Sequence, residues 1–138
     1  MLDLGRRSVA DSMSERRPAP PALLEASYER LVDFAYAESA IVLIAESGLG
    51  PVGFLVLMDR LPDEVTGLPQ AFVAYMAVEP HARRRGYASA LLRAAEQAAR
   101  ERGLPHLALM ATEENEAARE LYAQAGFWTE RRLLCKTL

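Results

Sequence analysis

Between Ala71 and Ala99 the hydrophobic pattern changes period once, and this change restricts the fold more than any other feature of the chain. Residues 71–78 (AFVAYMAV) are apolar without alternation, as in a central strand buried on both faces. Past the charged stretch from Glu79 to Arg85, the apolar residues Ala88, Leu91, Leu92, Ala95 and Ala99 recur at helical spacing. Gly103-Leu104-Pro105 ends that stripe. A buried strand that runs through a charged turn into an amphipathic helix requires a sheet with a helix packed across it.

The flanking segments supply the rest of such a sheet. Ala40–Ala45 and Val52–Met58 are apolar runs joined by Ser47-Gly48-Leu49-Gly50, which reads as a β-hairpin. Upstream, Leu24, Tyr28, Leu31, Val32 and Ala35 form one apolar stripe of a helix over about 22–38. Residues 1–20 stand apart: Arg6, Arg7, Arg16 and Arg17 lie among Ser and Asp, and Pro18, Pro20 and Pro21 then forbid a continuous helix. This segment is expected to be flexible or to form a short helix within 7–16. Downstream, residues 107–111 read as a short strand, 115–125 as a helix ended by Gly126, and 127–138 as a closing strand. The expectation is one domain over 1–138 of mixed α/β (α+β) class.

Composition excludes several functions. With 138 residues, 51% of them hydrophobic, the chain builds a core without disulfides or a structural metal. A formal net charge of −3 argues against nucleic acid as a partner. No run approaches the roughly 18 apolar residues that a membrane span needs, and charges at Asp3, Arg6, Arg7 and Asp11 fall where a secretory signal would be apolar. Cys135 has no partner for an internal disulfide, which fits a reducing cytoplasm, and it reads as a small packing residue on the last strand. No His/Cys/Asp cluster has metal-ligand spacing, so no metal is expected. His81 and His106, each beside a proline, read as exposed or structural.

Two segments carry candidate chemistry. In Val78-Glu79-Pro80-His81-Ala82-Arg83-Arg84-Arg85-Gly86-Tyr87-Ala88, free amides at a helix N-terminus, with the macrodipole behind them, make an anion site. Gly86 removes a Cβ where a phosphate approaches, and the arginines add charge. A solvated basic turn has the same composition. The lone glycine excludes a P-loop and a dinucleotide fingerprint. In the second segment, residues 115–127 (NEAARELYAQAGF), Asn115 stands where it can cap the helix or reach a ligand. Tyr122 shares its face and is either a proton donor or a core tyrosine.

Together the segments resemble the GNAT superfamily of acyl-CoA-dependent N-acyltransferases. Arg83-x-x-Gly86-x-Ala88 is similar to that family's Arg/Gln-x-x-Gly-x-Gly/Ala pyrophosphate motif. Residues 115–127 are similar to its Asn-x-x-Ala-x-x-Leu-Tyr-x-x-x-Gly-Phe pattern at every defined position. The resemblance implies a mixed, mostly antiparallel central sheet flanked by helices, and an enzyme that takes acetyl-CoA and acetylates a primary amine on a small molecule or peptide. It implies that amides of Arg84, Arg85, Gly86, Tyr87 and Ala88, with Arg83, hold the CoA pyrophosphate. It further implies that Met76, Ala77 and Val78 pair with the pantetheine, that Asn115 steadies the CoA arm, and that Tyr122 is the general acid. A non-catalytic acyl-CoA-binding or partner-binding module is the competing expectation.

The chain also departs from that family. Many relatives carry a base carboxylate at the position that is Ala74 here, so either a water relayed to a carboxylate elsewhere takes the proton or the acceptor binds already neutral. Glu79, expected to face solvent beside Pro80, is one candidate, and Glu38 and Asp59 are two others without rank. The N-terminus is shortened, without the opening strand that relatives commonly have, and the C-terminus has room for only one final strand. Short ends leave room for a homodimer that completes the acceptor pocket. Asp63 and Glu64 in the 59–70 loop stand either to attract a cationic acceptor or simply to be solvated.

Overall fold

The computed structural model describes residues 2–138. Helix α1 (Leu2–Ser8) runs into a 3-10 turn (Val9–Ser12), and α2 (Pro21–Ala37) begins at Pro21. A proline in the first helical turn costs nothing, because the amide it lacks would have no partner there. The prolines therefore start a helix as well as ending the segment before it. Strands β1 (Ile41–Ser47), β2 (Gly50–Met58) and β3 (Ala71–Val78) follow, then a 3-10 turn (Pro80–Ala82). Helix α3 (Tyr87–Glu101), strand β4 (Leu107–Leu109) and helix α4 (Glu116–Gln124) complete the order.

The sheet has the order β1-β2-β3-β4, antiparallel except for the parallel β3–β4 pair. The expected mixed, mostly antiparallel sheet is therefore present, and it is open at both edges. Helix α3 lies across one face, where Leu91, Leu92, Ala95, Ala98 and Ala99 bury against Leu55, Leu57, Ala71 and Val73. At about 1.5–3 kcal/mol for each large apolar side chain, this contact is the main source of stability. Helix α1 covers the other face, with Leu4 against Phe54, Val56, Met58 and Ala77. β2 is sandwiched between these layers, so Val52–Met58 is buried throughout. β3, expected to be central and buried on both faces, is partly open instead.

The closing strand expected over 127–138 does not form. β4 contributes only Leu107–Leu109 to the ladder, so a further strand has too little backbone to pair with. Trp128, Leu133, Leu134 and Leu138 are exposed, and so is Cys135, which is not a packing residue as expected. Arg131 ties the segment back, donating to Asp63 across 2.7 Å. That guanidinium, then the Thr66 side chain and amide, hold the Asp63 carboxyl far below its ordinary range.

A depressed carboxyl stabilises above its unfolded value, near 3.9, and loses that contribution as the pH falls below it. Trypsin cutting after Arg131 is therefore expected to accelerate at pH 7 in Asp63→Asn, and the NMR signals of residues 127–138 in wild type to move toward random-coil positions as the pH falls below about 4. Equal rates at pH 7 would show that the tether does not hold the segment.

Gly5 is a steric requirement of α1. The Tyr75 hydroxyl donates to its carbonyl across 3.0 Å, and a Cβ there would overlap the Tyr28 ring. Glycine to alanine inside a helix ordinarily stabilises by roughly 0.5–1 kcal/mol. Here overpacking prevails, and Gly5→Ala is expected to lose about 1–3 kcal/mol in urea denaturation. A gain in stability would show that α1 is not docked on Tyr28.

Candidate active site

The β3–β4 ladder joins Ala71, Phe72 and Val73 to Leu107, Ala108 and Leu109, and it stops there while β3 continues to Val78. A bulge falls at the same point. Val56 faces Tyr75 and Leu57 faces Val73, so Ala74 has no counterpart on β2. The extra residue inverts the alternation: Val73 and Met76 pack toward α3, whereas Ala74 and Tyr75 both pack toward α1. Beyond the bulge, the edge that carries Met76, Ala77 and Val78 faces a gap instead of a strand, as an edge that pairs with an extended ligand does.

The turn after β3 is held in a special backbone conformation. Arg84 has φ 60° and Gly86 has φ 85°, both left-handed, and only glycine adopts that region without cost. Among the described residues no amide from Arg84 to Ser89 donates within the chain; the first to do so is Ala90, to the Gly86 carbonyl across 3.0 Å. A Cβ built on Gly86 meets no heavy atom within 4 Å, so the space above the turn is open. Free amides, the positive end of a long helix and open space form an anion cradle.

The arginines divide their tasks. Arg83 turns back: its Nε donates to the Val78 carbonyl across 3.2 Å, and Nη2 lies 3.5 Å from the Asp11 carboxylate. Arg84 and Arg85 are exposed and form no ion pair among the described residues.

On α4, Asn115 acts as the cap. Its Oδ1 accepts from the Ala118 amide across 3.2 Å, and its Nδ2 donates to the Asp11 carbonyl across 3.4 Å. Tyr122 is half-buried on the α3 side, and burial raises the pKa of its phenol. Its ring is held by the helix end. Phe127 N–H donates to the Tyr122 carbonyl and Gly126 N–H to the Ala123 carbonyl, across 3.0 and 3.1 Å, the two bonds of a Schellman cap. Gly126, at φ 92°, allows that reversal, and the Phe127 ring meets Tyr122 edge-on at 5.9 Å. The Tyr-x-x-x-Gly-Phe spacing thus builds a helix stop that clamps the tyrosine.

The three candidate carboxylates now separate. Glu79 accepts from Arg7 across 2.9 and 3.4 Å, and this guanidinium holds its carboxyl below the usual range. Asp59 accepts from Arg102 across 2.9 Å at the C-terminal end of α3, and Glu38 closes α2 beside the start of β1. Both lie at the end of the sheet away from the anion cradle. His81 and His106 are exposed, as expected.

The N-terminal segment was not expected at this site. Thr112 Oγ1 donates to the Ser12 carbonyl across 2.6 Å, Asn115 reaches Asp11, and Ser14 Oγ reaches Glu114. From the opposite side, Arg83 meets Asp11 and Arg7 meets Glu79. Residues 7–14 thus cross the gap between β3 and β4 and are fastened to both arms. No local spacing signals contacts this distant in sequence.

A family model for the GNAT acetyltransferase family matches residues 9–127. No curated protein sequence matches the chain at a significant level. Among solved structures, the chain is similar to a putative acetyl transferase from Pyrococcus furiosus, with 24% identity, TM-score 0.83, and 99% of this chain and 91% of that one covered. It is also similar to a ribosomal-protein-alanine N-acetyltransferase from Brucella melitensis biovar Abortus 2308, with 28% identity, TM-score 0.66 and coverage of 99% and 93%. A third is aminoglycoside N-acetyltransferase AAC(6')-Iy in complex with CoA, with 24% identity, TM-score 0.64 and coverage of 82% and 84%. The family match spans both motif segments and the gap between them, and the chain belongs to the GNAT acetyltransferase family of acyltransferases.

Proposed function

We propose that this enzyme transfers an acetyl group from acetyl-CoA to a primary amine by direct attack, with Tyr122 as proton donor to the leaving sulfur. The observation that carries the reading is the row of unpartnered amides from Arg84 to Ser89 above open space. A diphosphate satisfies those donors together, and Arg84 and Arg85 add charge beside it. The unpaired β3 edge then guides the pantetheine toward the bulge, where main-chain amides face the thioester carbonyl. The names of two structural neighbours, an aminoglycoside N-acetyltransferase complexed with CoA and a ribosomal-protein-alanine N-acetyltransferase, support CoA as donor and an amine nitrogen as acceptor.

Magnitudes limit the part played by Tyr122. A phenol near 10 is a weaker acid than a thiol near 8.5, so full transfer to a free thiolate is uphill by about 2 kcal/mol. Burial raises the phenol further and keeps it protonated throughout the neutral range, the form a donor needs. It therefore acts as a hydrogen-bond donor while charge builds on sulfur, and transfer completes only as the new amide nitrogen gives up its own proton.

Tyr122→Phe is expected to lower kcat about 10²-fold with little change in acetyl-CoA Kd by calorimetry; an unchanged kcat removes Tyr122 from the chemistry. Gly86→Glu places a side chain and a negative charge in the cradle and is expected to abolish acetyl-CoA binding. Tight binding by that variant would overturn the assignment of the turn.

A further inference from the structure

We propose that a hollow between the first 3-10 turn and the start of α2 receives a carboxylate of the acceptor on Arg17, so that the substrate is a small straight-chain amine with a carboxylate at its far end. This deepens the acetyl-transfer reading and rests on it. The hollow has a volume of about 240 Å³ and is lined by Val9, Ser12, Met13, Ser14, Arg17 and Leu24. Sites for drug-sized ligands run to roughly 300–1,000 Å³, so this one takes the tail of a small molecule and not an oligosaccharide or a folded protein.

Charge selects the class. Arg17 forms no ion pair among the described residues, and its polar contact is a long one, from Nη1 to Cys135 Sγ at 3.7 Å. A free guanidinium fork takes a carboxylate through two parallel hydrogen bonds, and the Ser12 hydroxyl lines the same hollow. Val9, Met13 and Leu24 offer apolar contact to a methylene chain. The carboxylates around the gap are already engaged: Glu79 by Arg7, Asp11 by Arg83 at 3.5 Å, Glu114 by the Ser14 hydroxyl. Asp63, which in the sequence stood to attract a cation, is held by Arg131. Glu15 is exposed and does not line the hollow. A second ammonium on the acceptor therefore finds no free partner there, whereas a carboxylate does.

Position sets the length of the acceptor. The hollow adjoins the β4 arm of the gap, because Thr112 Oγ1 donates to the Ser12 carbonyl across 2.6 Å and Ser14 reaches Glu114. Val73 faces Leu109, so the bulge at Ala74, where the thioester is placed, is level with Met110. Thr112 stands two residues further on, roughly 7 Å at about 3.3 Å per residue. A nitrogen at the thioester and a carboxylate in the hollow are then joined by a chain of about five bonds of roughly 1.5 Å each. An α-amino acid is too short for this span, and an ω-amino acid of five carbons fits it.

The test uses acetyl-CoA with three amines matched in length and basicity: ω-aminopentanoate, pentylamine and diaminopentane. Wild type is expected to favour ω-aminopentanoate over pentylamine about tenfold in kcat/KM, with the difference in KM, as for a contact made equally in the ground and transition states. Diaminopentane is expected to be no better than pentylamine. Arg17→Gln is expected to bring the ratio for the first two amines close to one. A merely structural role for Arg17 lowers both amines together and leaves the ratio as in wild type, and that result overturns the assignment. A preference for diaminopentane, or a weakened acetyl-CoA Kd in Arg17→Gln, does so too. Wild type that binds no acetyl-CoA, or acetylates none of the three, overturns the acetyl-transfer reading and this one with it; turnover of all three without preference overturns the carboxylate site alone.

Discussion

The early end of one parallel ladder governs this structure. β3 and β4 share hydrogen bonds only through Val73 and Leu109, and the bulge at Ala74 turns β3 away where pairing stops. An ordinary parallel pair would bury those main-chain groups in the sheet and leave no opening. Because they stay unpaired, the interior of the fold carries a polar edge next to a helix N-terminus, a combination that suits a long ligand with a charged end and an extended arm.

The rest of the molecule maintains that gap. Helix α3 seals one face through its leucine and alanine stripe and presents its free amides at one end. The Schellman cap of α4 fixes Tyr122 at the other arm. The N-terminal segment ties the arms together through polar contacts, each worth about 1 kcal/mol at most when exposed, so it fastens the opening without closing it as a core would.

The same contrast explains which elements could be anticipated. The α3 stripe, the β1–β2 hairpin and the strand 71–78 follow from hydrophobic period, because burial on a helix or sheet imposes that period directly. Gly86 and Gly126 mark backbone at positive φ, which the chain announces by residue type. Asn115 was legible as a cap or a ligand residue, and the cap is what forms. The closing strand was misread because an apolar stretch says nothing about whether a neighbour is available to pair with it.

Local order alone therefore determined the helices α2, α3 and α4, the four strands, the left-handed turn at Gly86 and the helix stop beside Tyr122, since each depends on residues a few positions apart, whereas the short helix expected within 7–16 forms over Leu2–Ser8 instead. The fold in three dimensions added the bulge at Ala74, the unpaired end of 127–138 and the position of Asp11 between Arg83 and Asn115. These are meetings of groups far apart along the chain, and no periodicity encodes them. They exist only once packing has settled which strand edges find partners and which do not.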